Sequence, residues 1–214
     1  MGRPCRGLSS LKARPGIVQI LTSNFKRELT LRFPFGILRP LLAADIHPGY
    51  VSGLNDPEVN RFLVNVRNAR QTTASVIEFV EQNLLAPDAI LFGIWPQGDT
   101  RHCGTVRLHN LGLQQVQAQI GICVFDRRRW GKGMGTSALR TVSEWACGAL
   151  GVSAIEAGVY VENIASQKIF VAAGYEWRKD VADTYERDGR PATVRFYRFP
   201  GSGRPSSGVP PSSQ

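Results

Sequence analysis

The sequence is poor in metal ligands. Its four cysteines, Cys5, Cys103, Cys123 and Cys147, form no C-x-x-C pair, and His47, His102 and His109 fall at no metal spacing. That excludes a sequence-evident zinc knuckle and a disulfide-dense secreted scaffold. Free thiols in a reducing cytoplasm, with no bound metal, are the expectation. No run approaches the ~20 apolar residues that a membrane-crossing helix needs. Met1–Leu21 lacks the apolar core of a secretory signal, and Arg6 stands where a myristoylation signal has Ser or Thr. Acid is scarce at the start: residues 1–40 hold eight basic side chains and only Glu28 against them. Most of the net charge of +9 therefore belongs to the N-terminal region, and the rest of the chain is nearly balanced. Basic residues interleaved with aromatics or set along a reading helix, as a nucleic-acid surface requires, are not found.

What is present suffices for one folded domain. The 214 residues are 43% hydrophobic and 20% charged, enough to build a core. Residues 1–34 read as a basic, flexible arm: a solvated tail, a non-specific contact for phosphate or an anionic membrane, or an Arg-rich transit-like segment. Residues 200–214, with four Pro, three Gly and five Ser, read as a disordered tail. Residues 35–199 form the domain, with no internal repeat.

Periodicity and punctuation predict a strand over Gly36–Leu42, a helix over Ala44–Ser52, and a short helix opened by Asp56-Pro57. An amphipathic helix over Thr73–Leu84 precedes strands over Ala89–Trp95, Arg101–Leu111 and Val116–Phe125. A helix over Gly133–Leu150, a strand over Ala154–Val161, and a helix over Ile164–Ala173 capped by Asn163 and Gly174 come next. Two strands, Tyr175–Asp183 and Ala192–Phe199, end the domain. The order implies an α/β (α+β) layered fold on one central mixed sheet.

The chemistry lies in Gln119–Thr136, QIGICVFDRRRWGKGMGT. A β-branched strand ends in a basic loop, Gly131, Gly133 and Gly135 alternate, and a helix begins at once. The first turn of a helix leaves backbone N–H groups without partners at the positive end of its dipole. Glycines let an anion approach that backbone, and Lys132 with Arg127–Arg129 adds positive charge. The site suits a diphosphate. It is not a P-loop, because Gly133 follows Lys132, nor a G-x-G-x-x-G fingerprint, because Thr136 stands at the sixth position from Gly131.

Trp130-Gly131-Lys132-Gly133-Met134-Gly135 resembles motif A of the GNAT (GCN5-related) acetyltransferases, [QR]-x-x-G-x-[GA], with Trp130 in place of the usual Gln or Arg. The WGKG form followed by Thr136 resembles the RimJ/RimL-like branch. So do Ile37-Leu38-Arg39-Pro40-Leu41, the run Leu54–Arg61 (LNDPEVNR), Asn163-Ile164-Ala165-Ser166 and Ala173-Gly174-Tyr175, all in the expected order. The resemblance spans about Ile37 to Phe199 and implies a mostly antiparallel mixed sheet flanked by helices and splayed at the acetyl-CoA site. It implies acetyl-CoA as co-substrate, no metal, and transfer to a primary amine.

The resemblance sets the diphosphate on Trp130, Gly131, Lys132, Gly133, Met134, Gly135 and Thr136. It sets the pantetheine arm against a bulged strand end at Ile122–Phe125, hence Cys123, Val124 and Phe125, with the Val124 N–H as oxyanion donor. Asn163 is both a helix cap and a contact for the arm. Ser166 matches a proton donor to the departing thiolate, since Phe170 stands where other members carry Tyr. Glu186 or Tyr185 is the candidate base, with Glu58 and Asp126 as alternatives. The acceptor is a protein N-terminus, an amino sugar, an aminoglycoside or a polyamine, and Arg67 and Arg70 suit an anionic one. A catalytically silent acyl-CoA-binding module is the competing reading, and a nucleic-acid-binding domain rests on net charge alone. A monomer or homodimer in the cytoplasm is expected.

Overall fold

A computed structural model describes residues 21–112, 117–187 and 189–201; for 183–186 only the backbone is described. Helix α1 (Ser23–Glu28) leads into β1 (Leu31–Phe33) and β2 (Gly36–Pro40). After a single 3-10 turn at Ala43–Asp45 come α2 (Pro48–Leu54), α3 (Pro57–Asn60), α4 (Val64–Arg67) and α5 (Thr73–Leu85). Strands β3 (Ile90–Pro96), β4 (Gly104–His109) and β5 (Ala118–Val124) follow. Next come α6 (Met134–Ala149), β6 (Ala154–Tyr160), α7 (Ile164–Ala172), β7 (Glu176–Arg187) and β8 (Arg190–Pro200). The strands form one eight-stranded sheet in the order β1-β2-β3-β4-β5-β6-β8-β7. Among the described strands only β5 and β6 pair in parallel; the other neighbours are antiparallel.

Both faces of the sheet are covered, and β3 shows it: all seven of its residues are buried. Ile90, Phe92 and Ile94 enter one cluster with Leu139, Val142 and Ala146 of α6. Leu91 and Trp95 point the other way, into a cluster with Tyr50 and Leu54 of α2 and Val76 and Val80 of α5. This is strand alternation with a helical layer on each side.

The structure corrects several expectations. Residues 21–34 are not part of a flexible arm: Leu21, Leu29, Leu31 and Phe33 are core residues, and β1 pairs with β2. Lys26 is fully buried, and its Nζ donates to the carbonyls of Asn83, Leu84 and Ala86 at 2.9, 3.0 and 2.5 Å. It thereby caps the C-terminal end of α5, where a cation suits the dipole. Residues 1–20 and 202–214, the rest of the expected arm and most of the expected tail, lie outside the described residues, as does Cys5. The helix expected over Ala44–Ser52 is broken, because Pro48 excludes helical geometry just before it. It divides into the 3-10 turn and α2, which His47 caps by accepting the Tyr50 N–H. Helix α4 carries no sequence signal of its own. The short helix opened by Asp56-Pro57 forms as expected, with the Asp56 carboxylate accepting the Glu58 N–H at 2.8 Å.

Candidate active site

The site begins where the parallel pair parts. β5 and β6 pair only at Ala118–Ile155 and Gln119–Glu156. Beyond those residues β5 keeps β4 and β6 keeps β8, so a wedge opens toward the C-terminal ends of both. The Phe125 N–H donates to the Cys103 carbonyl at 3.1 Å, just past the last β4–β5 pair. Antiparallel alternation then turns the peptide groups of Ile122 and Val124 away from β4 and into the wedge. The β4–β5 register runs unshifted from Gln119 to Val124, and just past it the Phe125 and Asp126 N–H groups both donate to the Cys103 carbonyl at 3.1 Å, two residues against one as in a β-bulge, at the strand end where the resemblance implied one.

At the mouth of the wedge the chain turns into α6. Gly131 (φ +71°) and Gly133 (φ +77°) both lie in the left-handed region, where a Cβ is strained. Gly133 is the N-cap of α6 and supplies no capping side chain, and the first turn holds no acid. The other two helices longer than eight residues among the described residues differ: Thr72 caps α5 and Asn163 caps α7 with side-chain oxygens. The first-turn amides of a 16-residue helix are therefore left to an external acceptor. Gly135 completes the convergence. A Cβ there would lie 3.4 Å from Ile122, 3.6 Å from Val124 and 3.7 Å from Ile169 of α7, so helix, wedge strand and α7 meet at this residue.

The basic loop is less positive than its sequence suggests. Arg128 is forked on Asp126 at 2.9 and 3.0 Å, Arg129 reaches Asp99 at 2.6 Å and Arg127 reaches Asp56 at 3.4 Å. Asp126 also caps the 3-10 turn Arg127–Arg129, and its carboxyl sits below the usual range, chiefly through its hydrogen bond from Arg128. Asp126 is thus committed to the loop rather than free to act as a base. Lys132 remains exposed beside the helix start. A groove of about 840 Å³ flanks the loop, bounded by Gly53, Arg101, His102, Phe125, Asp126 and Lys132 among others.

Trp130, the departure from motif A, has a structural role that no sequence signal disclosed. Its indole N–H donates to the Val124 carbonyl at 2.7 Å, tying the loop to the wedge strand. The side chain of Cys123 turns to the other face, against the Tyr50 and Phe125 cluster, and burial pushes its thiol up to about 12. Phe125 is buried in that same cluster, and Met134 is buried with its sulfur 3.4 Å from Cys103 Sγ. These side chains build walls, whereas Val124 offers its backbone.

Asn163 accepts the Ser166 N–H at 3.1 Å, an ordinary N-cap, and Ser166 is half-buried one turn into α7. Phe170 is core, edge-on to Tyr175 at 5.0 Å and stacked with Tyr197 at 6.2 Å. Glu58 is exposed on α3. The side chains of Tyr185 and Glu186 lie outside the described residues; their backbones pair with Ala192 and Pro191.

Beneath the groove His102 is 2% exposed, ringed by His47, Tyr50, Trp95 and Phe125. Neither of its ring nitrogens has a hydrogen-bond partner, and burial lowers its pKa to about 3. His47 Nδ1 accepts from the Tyr50 N–H at 3.3 Å. Its Nε2 must then carry the proton shared with the His102 carbonyl at 3.2 Å, so His47 is neutral with the proton on Nε2. Burial lowers its pKa as well. No helix among the described residues is long and apolar enough to cross a membrane.

Residues 37–176 match the model of the Acetyltransferase (GNAT) domain. Two curated relatives come from Bacillus subtilis strain 168. The probable N-acetyltransferase YjcK is 34% identical over 84 residues, 39% of this chain and under half (46%) of the relative. The uncharacterized N-acetyltransferase YoaA is 25% identical over 163 residues, 75% of this chain and 90% of the relative. Among solved structures, RimL, a ribosomal L7/L12 alpha-N-protein acetyltransferase in complex with coenzyme A, superposes with a TM-score of 0.69 at 14% identity, covering 80% of this chain and 98% of RimL. That likeness is one of fold. The splayed parallel pair, the uncapped helix and the domain match together place this chain in the GNAT acetyltransferase family, acyltransferases that use acetyl-CoA as co-substrate.

Proposed function

We propose that this chain moves the acetyl group of acetyl-CoA directly to a primary amine. The observation that carries the proposal is the wedge between β5 and β6 opening onto the uncapped start of α6. The amides from Gly131 to Thr136 hold the diphosphate, with Lys132 adding charge at the rim. The pantetheine arm lies in the wedge and extends β5 like a strand, with Asn163 on its far side.

The amine nitrogen attacks the thioester carbonyl carbon and the carbonyl π-pair moves onto oxygen. The Val124 N–H, turned into the wedge, stabilises that oxyanion; a donor of this kind is typically worth ~10²–10³ in rate. The nitrogen gives its proton to a base, for which Glu186 or Tyr185 on β7 is the candidate. When the carbon–sulfur bond breaks, the thiolate takes a proton from the Ser166 hydroxyl, which water restores. Phe170 supports that assignment, because it sits in the core and has no proton to give. The products are the N-acetylated acceptor and free CoA. A protein N-terminus or an amino sugar is the acceptor class, and the buried free thiols Cys103 and Cys147 suit a cytoplasmic location.

A second reading, an acyl-CoA-binding module without turnover, is favoured by Phe170 and by Trp130 occupying the Val124 carbonyl. Calorimetry with acetyl-CoA and thiol release with a panel of amines separate the two. Binding with thiol release supports transfer, and binding without release on any amine supports the module. No binding removes both.

A further inference from the structure

The α2–α4 segment roofs the wedge. At one end α2 packs on Phe125, just past the end of β5, so closely that a Cβ on Gly53 would lie 2.8 Å from it. At the other, Phe62, between α3 and α4, stacks on Tyr160, the last residue of β6, with ring centroids 6.4 Å apart. The Arg187 guanidinium, at the end of β7, lies over both rings, 5.2 Å from Phe62 and 5.9 Å from Tyr160. Arg61 lies over Phe62 too, at 5.2 Å. Beside them a pocket of about 330 Å³ is lined by Glu162, Arg187, Arg190, Pro191 and Ala192.

Arg187 differs from Arg39 and Arg195. Arg39 and Arg195, whose side chains are 32% and 34% exposed, are forked on Asp45 and Asp180 at 2.6–2.9 Å. The Arg187 side chain is less exposed, at 23%, yet its carboxylate partner among the described residues, Glu162, stands 3.8 Å away. That is beyond hydrogen-bond distance. Aromatic faces hold a guanidinium without using its N–H groups. Arg187 is thus fixed in place while no hydrogen bond among the described residues fills its planar donor array, the arrangement that binds a carboxylate or phosphate through two parallel bonds.

We propose that the pocket lined by Glu162, Arg187 and Arg190, beside the Phe62–Tyr160 stack that holds Arg187, is an anion subsite for the acceptor, so that the amine acetylated here belongs to a small molecule bearing a carboxylate or phosphate. The inference rests on the reading of the wedge as the acetyl-transfer site, and it names the substrate class of that site. Arg187 positions and selects the acceptor; it is not placed at the reacting atoms. Glu162, 3.8 Å from Arg187, lines the same pocket and carries the charge that suits the acceptor's ammonium group.

The test uses matched pairs: an amino-sugar 6-phosphate against the free amino sugar, a dipeptide against its C-terminal amide, and spermidine as the polyamine. Each is measured by kcat/KM with acetyl-CoA and by calorimetric Kd on the CoA-loaded full chain. The anionic member of at least one pair is expected to win by about 10- to 100-fold, the size of one charged hydrogen-bonded contact, with spermidine weakest. The phosphate and carboxylate pairs identify which oxyanion fits. Arg187→Gln should collapse the ratio within the pair toward one, and Arg187→Lys should restore part of it. Acetyl-CoA Kd, measured alongside, reports whether the variants remain folded at the wedge. Equal Kd within every pair, a preference for spermidine, or an unchanged ratio in Arg187→Gln overturns the subsite. Loss of acetyl-CoA binding in the unmodified chain instead overturns the transferase reading on which it rests.

Discussion

Replacing Gly133 by Ala probes the centre of the proposed site. Gly133 holds φ +77° and ψ −5° as N-cap of α6. Space is not the obstacle, because the new Cβ would have only Phe35 near it, at 3.7 Å. The cost is the left-handed backbone, about 1–2 kcal/mol for a residue with a Cβ. At about 2–4 °C per kcal/mol for a chain of this size, Tm should fall by roughly 2–8 °C. The larger effect should fall on acetyl-CoA. The turn aims the first amides of α6, and losing one charged hydrogen bond, net about 1.5–3 kcal/mol, raises Kd about 10- to 100-fold. Gly148→Ala is the control. It lies in the last turn of the same helix with nothing within 4 Å of its built Cβ, and alanine there should stabilise by at most about 0.5–1 kcal/mol, the helix-interior value. Its Tm should rise slightly and its Kd stay put. Calorimetry and thermal unfolding read both variants. A Gly133→Ala protein with lowered Tm but unchanged Kd would refute the reasoning, because it would separate the strained turn from the nucleotide.

Trp130→Phe removes the 2.7 Å bond to the Val124 carbonyl while keeping most of the ring; acetyl-CoA Kd should rise severalfold with little loss of Tm, and a tighter Kd would mean that Trp130 competes with the ligand for that carbonyl. Ser166→Ala should lower kcat by about 10²-fold if the hydroxyl is the general acid and leave acetyl-CoA Kd unchanged; a full-rate variant would return that role to water. Lys26→Met strips three carbonyls at the end of α5 of their donor and should cost about 1–3 kcal/mol in urea unfolding, against no change if residues 21–34 were a loose arm. His102 binds its proton in the unfolded chain near pH 6.5 but in the fold only near pH 3. The unfolded state therefore binds more protons between those values, and stability should fall as pH drops through that window. His102→Leu should flatten the fall, and an identical pH profile would show that His102 is not its source.

The helices and strands around the Gly-rich loop were legible because each carries its own local signal. Asp56-Pro57 and Asn163 are caps read directly from sequence, and Gly131 and Gly133 mark left-handed turns that only a glycine accepts easily. The N-terminal strand was not legible, since Leu31-Arg32-Phe33 is too short to show a period and its place in the sheet comes from pairing with β2. Lys26 misled for a different reason. A lysine in a basic stretch reads as solvated, and its burial becomes visible only when α5 ends 57 to 60 residues later against its ammonium. Arg127 and Arg129 misled in the same way, their carboxylate partners Asp56 and Asp99 being distant in sequence. The Phe62–Tyr160–Arg187 stack joins three separate elements and leaves no trace at any one of them.

The place of the site follows from topology. Antiparallel neighbours can be joined by a hairpin, but a parallel pair needs a crossover, usually through a helix. β5 and β6 form that pair, and α6 is the crossover. The crossover starts from the C-terminal end of β5, so the positive end of α6 comes to rest where the strand stops. A ligand that sits on those amides can then run along β5 only if β6 stands aside. The pairing ends after Gln119–Glu156, and from Ile120 onward that condition is met. Where β5 and β6 paired along their whole length, as β4 and β5 do from Gly104–Val124 to His109–Gln119, the Val124 peptide would be consumed by the sheet. In the proposed mechanism, diphosphate binding and oxyanion stabilisation therefore depend on the same two-residue pairing. A double substitution that extended the β5–β6 ladder should weaken acetyl-CoA and stabilise the apo fold together, measurable as opposite shifts in Kd and Tm. Parallel changes in the two would mean that the wedge is held open by something other than the lost pairing.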